Sequence, residues 1–118
     1  MDKTHEIIYE GGVTVVKFIM KPSFDQVKLI IDDISENYSY EKRLWDLSEI
    51  DFDFTTEEIR LIAEYGKRKF TKNNKLAVFA TSDLAFGEMR QFEVYREEEI
   101  STPKVFRDKQ NAINWLNE

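Results

Sequence analysis

Cysteine is absent from the chain, which excludes disulfides, zinc-thiolate sites and cysteine nucleophiles together. Histidine occurs once, as His5, and no Ser-His pairing of recognisable pattern can form around it. Four glycines are present, and none builds a phosphate-cradling loop: Gly11 and Gly12 fall in a hairpin turn, and Gly66 and Gly87 stand alone. No apolar run approaches the roughly 20 residues that span a bilayer. The opening stretch MDKTHEIIYE lacks the apolar core of a secretory signal. These absences lead us to expect a cytoplasmic protein with no membrane span.

What is present fits one folded domain over residues 1–118. A chain of 118 residues and 14.1 kDa buries about two-thirds of the surface its unfolded form exposes. Its 42% hydrophobic and 34% charged residues describe a globular composition. The formal net charge of −6 opposes nucleic-acid binding, whose affinity comes largely from cations on phosphates. One basic cluster remains, Lys67, Arg68, Lys69, Lys72 and Lys75. It falls where a helix should end, and cations complement the dipole there.

The elements follow from spacing and punctuation. HEIIYEGGVTVVKF predicts a hairpin, because Gly11 and Gly12 accept the positive φ of a tight turn. Pro22 breaks the chain; Ser23 with Gln26 three residues on is a capping box. Phe24, Val27, Ile30, Ile31 and Ile34 then carry a first helix over about 23–36. KRLWDL is a short strand. Thr55 and Glu58 form a second capping box, followed by the stripe Ile59, Ile62, Ala63, Gly66 and Phe70. KLAVFA over 75–80 is an apolar run suited to a strand covered on both faces. Ser82 or Asp83 caps a third helix bearing Phe86, Met89, Phe92 and Tyr95. EEEISTP is a loop, KVF a last strand, and Asp108 the cap of a final helix. The resulting order, β-β-α-β-α-β-α-β-α, predicts an α/β fold: a mainly parallel five-stranded sheet with an N-terminal antiparallel hairpin.

That order, with DLSEIDF before the second helix, resembles the STAS fold family. SDLAFGEMRQFE (82–93) and KVFRDKQNAINWL (104–116) resemble its small SpoIIAA-like, or STAS/SEC14-type, members. The resemblance implies a regulatory or interaction module. In the antagonist branch a serine at the start of the second helix is phosphorylated, and the corresponding position here is Thr56. The motif departs there, with Phe54 in place of aspartate and Glu57 in place of glycine. Phosphate at Thr56 would also stand among Asp51, Asp53, Glu57 and Glu58, which is repulsive. The SEC14-type likeness implies instead a hydrophobic small molecule or lipid held between helices and sheet.

Two further features bear on function. Asp51, Asp53, Glu57, Asp83 and Asp108 should gather at the carboxyl edge of the sheet, where α/β proteins meet ligands. DFD lacks calcium-loop spacing, so we expect a solvated acidic rim, with no metal and no cofactor. Gly87 lies early in a helix at a cost of about 1 kcal/mol relative to alanine, and close packing against a strand or helix is the simplest offset. Leu84, Ala85, Phe86, Met89, Phe92, Val94 and Tyr95 spread too widely for one buried stripe, so that helix is either covered on several sides or exposes an apolar strip. The sequence therefore leads us to expect a non-enzymatic interaction module, binding a protein partner or a second copy. Its surface would lie around Thr55, Thr56, Phe86, Gly87 and Met89.

Overall fold

The computed structural model describes residues 3–51, 53–95 and 103–118. The chain runs β1 (His5–Glu10), β2 (Val13–Phe18), α1 (Phe24–Asn37), β3 (Lys42–Asp46), α2 (Thr56–Lys69), β4 (Lys75–Phe79), α3 (Asp83–Tyr95), β5 (Lys104–Phe106) and α4 (Lys109–Leu116). The order expected from periodicity is the order observed. Of the expected loop over 97–103, only Pro103 lies within the described residues.

The five strands stand in sequence order, β1-β2-β3-β4-β5. β1 and β2 are antiparallel, and β2 to β5 are parallel. Gly11 and Gly12 join the hairpin with φ of +58° and +79°, the positive pair that a type I′ turn requires. Side chains alternate across the sheet. Val16, Phe18, Trp45, Leu47, Leu76, Val78, Ala80 and Val105 face α1, α2 and α3 in the larger core. Val13, Val15, Leu44 and Ala77 face the other way, where Ala112 and Leu116 of α4 cover them. Because neighbouring parallel strands are consecutive in the chain, same-handed crossovers place their three helices on one face. Only the terminal helix is left for the other.

The helix starts obey local chemistry. Ser23 and Thr55 both form complete capping boxes, with Gln26 and Glu58. Asp108 Oδ1 accepts the Asn111 amide at 2.9 Å, and Ser82 rather than Asp83 caps α3, accepting the Ala85 amide at 3.1 Å. The central strand holds one feature hydropathy does not foresee. Arg43 is fully buried, its guanidinium 3.7 Å from the centroid of the Phe70 ring, a cation–π stack.

Candidate functional site

Parallel strands β2 to β5 deliver their following loops to one edge, and α2 and α3 start there. At the first seam the two threonines separate in role. Thr55 Oγ1 accepts the Glu58 amide at 3.1 Å, and the Thr55 amide donates to Glu58 Oε1 at 3.0 Å. The Thr55 hydroxyl is thus engaged in helix capping. Thr56, the first residue of α2, is exposed.

Beneath them is a residue the sequence reading did not single out. Glu88 of α3 is 9% exposed, and its carboxylate accepts the backbone amide of Phe54 at 3.1 and 3.3 Å. Burial pushes the Glu88 carboxyl above the usual range, against the lowering effect of that amide. The bond pins the α2 entry loop to α3. The signal was in the spacing: Glu88 is three residues from Ala85 and four from Phe92, on the inward stripe of α3.

The acidic rim is at the expected edge, but it is far from bare. Glu49 pairs with Lys17 at 3.2 Å, Asp53 with Lys21 at 3.9 Å and Asp83 with Arg107 at 2.8 Å. Glu57 binds Arg60, and Asp46 accepts both the amide and hydroxyl of Ser48, at 2.9 and 2.6 Å. Asp108 is occupied as a helix cap. Some of these partners are local, as Arg60 is for Glu57 and Ser48 for Asp46, and others distant, as Arg107 is for Asp83, while Asp51 is exposed. Among the described residues, no group of three or more acids or histidines is arranged to hold a metal ion.

The expected surface on α3 is redrawn. Met89 is fully buried and belongs to the core, because it shares a face with Ala85 and Phe92. It cannot serve as part of an exposed surface in this fold. Phe86 is half-buried, with the Arg107 guanidinium 4.3 Å from its ring centroid, while Arg107 also holds Asp83. Gly87 departs most from expectation. A Cβ built there meets nothing within 4 Å, so neither strand nor helix packs closely on it. The helix is covered in part, at Phe86 and Tyr95, and leaves two apolar residues exposed ten positions apart. Leu84 and Val94 are 48% and 69% exposed, and with Gly87 and Gln91 they recur at the spacing of one helical face.

The basic cluster lies mostly at the end of α2, away from the threonines. Lys69 reaches Asp32 at 3.0 Å, beside the Tyr65 hydroxyl that donates to the same carboxylate. Lys75 donates to the Trp115 carbonyl at 3.0 Å, near the end of α4, as cations do at helix carboxyl ends. His5 does not dangle from a free terminus. It is half-buried in β1, beside Phe18, and burial lowers its imidazole pKa despite the nearby Asp33. A cleft of about 480 Å³ opens among Tyr38, Ser39, Tyr40, Lys69 and Thr71. It contains none of the residues singled out as an interaction surface.

Fold and edge together define an α/β protein with a mixed sheet and helices on both faces. Comparison of the chain with protein-family models, with curated proteins and with solved structures finds no match. No helix among the described residues is long and apolar enough to cross a membrane.

Proposed function

We propose that this chain is a non-enzymatic, STAS-like interaction module of the SpoIIAA-like type, acting in the cytoplasm, that receives a protein partner on the outer face of α3. One observation supports the reading: Leu84 and Val94 are exposed on the same helical face as a glycine whose Cβ direction is open. Glycine within a helix costs about 1 kcal/mol relative to alanine, and no close contact among the described residues offsets it. A partner backbone approaching that spot would use the missing side chain. Thr55 and Thr56 border the same region at the start of α2. Thr56 is the residue there that a kinase could reach, since it is exposed and the Thr55 hydroxyl is engaged in the cap.

The lipid-binding alternative draws less support. It requires space between helices and sheet, where Phe18, Trp45 and Phe92 stand with ring centroids 5.8 and 6.1 Å apart. These rings occupy part of the layer between sheet and helices.

The test compares proteins captured on the immobilised parent chain and on a Leu84→Glu/Val94→Glu variant. A partner retained by the parent and lost by the variant, at unchanged melting temperature, supports the reading. An identical captured set overturns it. Intact-mass analysis of the chain purified from cells tests the regulatory part: phosphate at Thr56 supports it, and an unmodified Thr56 peptide across growth conditions removes it.

A further inference from the structure

The two edges of the sheet are finished differently. β5 is three residues long, preceded by Pro103, and the Val105 amide is taken by the Glu93 carboxylate of α3 at 2.8 Å. A short strand, a proline and a side-chain plug are the devices by which proteins close an edge against further pairing. Among the described residues β1 has none of these three, and its protection is limited to two charged residues, Glu6 and Glu10. It is six residues, HEIIYE, without proline or lysine, and its one-to-one register with β2 is unbroken by a bulge.

The hairpin fixes which amides of β1 are free to pair outward. A two-residue turn makes Glu10 and Val13 a hydrogen-bonded pair, and such pairs alternate along an antiparallel ladder. Ile8 and Glu6 therefore bond β2, as does Thr4, whose carbonyl accepts the Ile19 amide at 2.9 Å. His5, Ile7 and Tyr9 direct their amides and carbonyls away from the sheet. Ile8 and Tyr9, on opposite faces of this edge, are 41% and 67% exposed. Leu29, 66% exposed, stands one turn before Asp33 on α1, and Asp33 lies close enough to His5 to act on its imidazole.

We infer that β1 pairs antiparallel with β1 of a second copy of this chain, joining two five-stranded sheets into one. The occupant follows from self-complementarity. Outward-facing residues must oppose outward-facing residues, so registers change in steps of two. The register centred on Ile7 opposite Ile7 of the second copy sets His5 against Tyr9, Glu6 against Ile8 and Thr4 against Glu10 of that copy. No glutamate then faces another. A step either way puts Glu6 opposite Glu6 or Glu10 of the second copy, and like charges directly opposite are destabilising. In the favoured register Ile8 is diagonal to its own counterpart. The two-fold axis also brings both α1 helices to the same side of the joint sheet. An isologous contact of this kind closes on itself and stops at two chains. It uses a surface separate from the outer face of α3.

Light scattering coupled to size exclusion, over a dilution series of the full chain, reads the outcome. The expected mass is twice the 14.1 kDa of one chain, falling to one chain on dilution. Tyr9→Pro removes an amide that the ladder with β2 does not use, so it should leave circular dichroism and the melt intact and give a monomer. Two substitutions of exposed Ile8 test the register directly. Ile8→Glu, opposite Glu6 of the second copy, should dissociate the dimer at least tenfold more readily than Ile8→Lys, which places opposite charges together. A parent chain monomeric at every concentration, a dimer that survives Tyr9→Pro, or equal behaviour of the two Ile8 variants would each overturn the inference.

Discussion

Thr55 and Thr56 are adjacent and chemically alike, yet the first has its hydroxyl engaged in the backbone of α2 and the second is exposed. The difference is positional: an N-cap side chain reaches the amide three residues on, whereas the next residue already has helical geometry and turns its side chain outward. Thr55→Ala should therefore lower unfolding free energy by about 0.5–2 kcal/mol, and Thr56→Ala should change it by less than about 0.5 kcal/mol. Urea denaturation of the two variants measures the contrast. Glu88 supports a second pair of variants. Its folded pKa is raised, chiefly by burial, so the folded state holds the proton more tightly than the unfolded chain. Its contribution to stability is then fully present below the ordinary glutamate pKa and is lost as pH rises through the folded value. Glu88→Gln keeps an acceptor for the Phe54 amide without the buried charge, and should abolish that loss above the ordinary glutamate range. Glu88→Ala strands the amide and should cost about 1–3 kcal/mol. Melts recorded from pH 4 to pH 8 separate the two effects.

Among the elements, α3 has the weakest segregation of faces. Its inward side carries Ala85, Glu88, Met89 and Phe92, and its outward side carries Leu84 and Val94, apolar residues in solvent. A helix stabilised only by its own fold would gain from a side chain at Gly87, because a methyl there meets no neighbour. Gly87→Ala should raise stability by about 0.5–1 kcal/mol, read as a higher urea midpoint at constant slope. If a partner rests on that glycine, the same change should weaken capture. Opposite signs for stability and binding are the mark of a residue kept for contact. β1 shows a related asymmetry, since its sole histidine is half-buried with a lowered pKa. A lowered histidine stabilises the fold above the ordinary imidazole pKa, and that contribution is lost as pH falls through the folded value. His5→Gln should flatten the stability profile below the ordinary imidazole pKa.

At the level of the whole molecule, three helices cover one face of the sheet and a single eight-residue helix covers much of the other. The second core is therefore thin. It depends on Ala112 and Leu116, both fully buried, with Lys42 and Lys75 holding the end of α4 through Asn117 and the Trp115 carbonyl at 3.1 and 3.0 Å. Leu116→Ala removes a large share of the apolar contact on that face and should cost about 2–5 kcal/mol. Tryptophan emission should report it early, as the Trp115 ring lies tilted against Phe106 with ring centroids 5.8 Å apart. A midpoint equal to that of the parent would mean that α4 is not needed to cover the sheet.

The order of elements, the hairpin, and the caps at Ser23, Thr55 and Asp108 were legible from the amino-acid sequence, because each arises from residues a few positions apart; at α3 the sequence left Ser82 and Asp83 both open. So were the inward stripes of α1 and α2, where apolar spacing has a single solution. Only the tertiary structure decided which side of α3 faces solvent, that Met89 is interior, that Gly87 is uncovered, and which rim carboxylates meet a cation. Those outcomes depend on partners distant in the chain: Glu88 meets the Phe54 amide 34 residues away, and Asp83 meets Arg107 across β5. Local periodicity carries no information about which distant charge or side chain arrives to cover a given face. That is settled when the sheet assembles and the helices take their places on it.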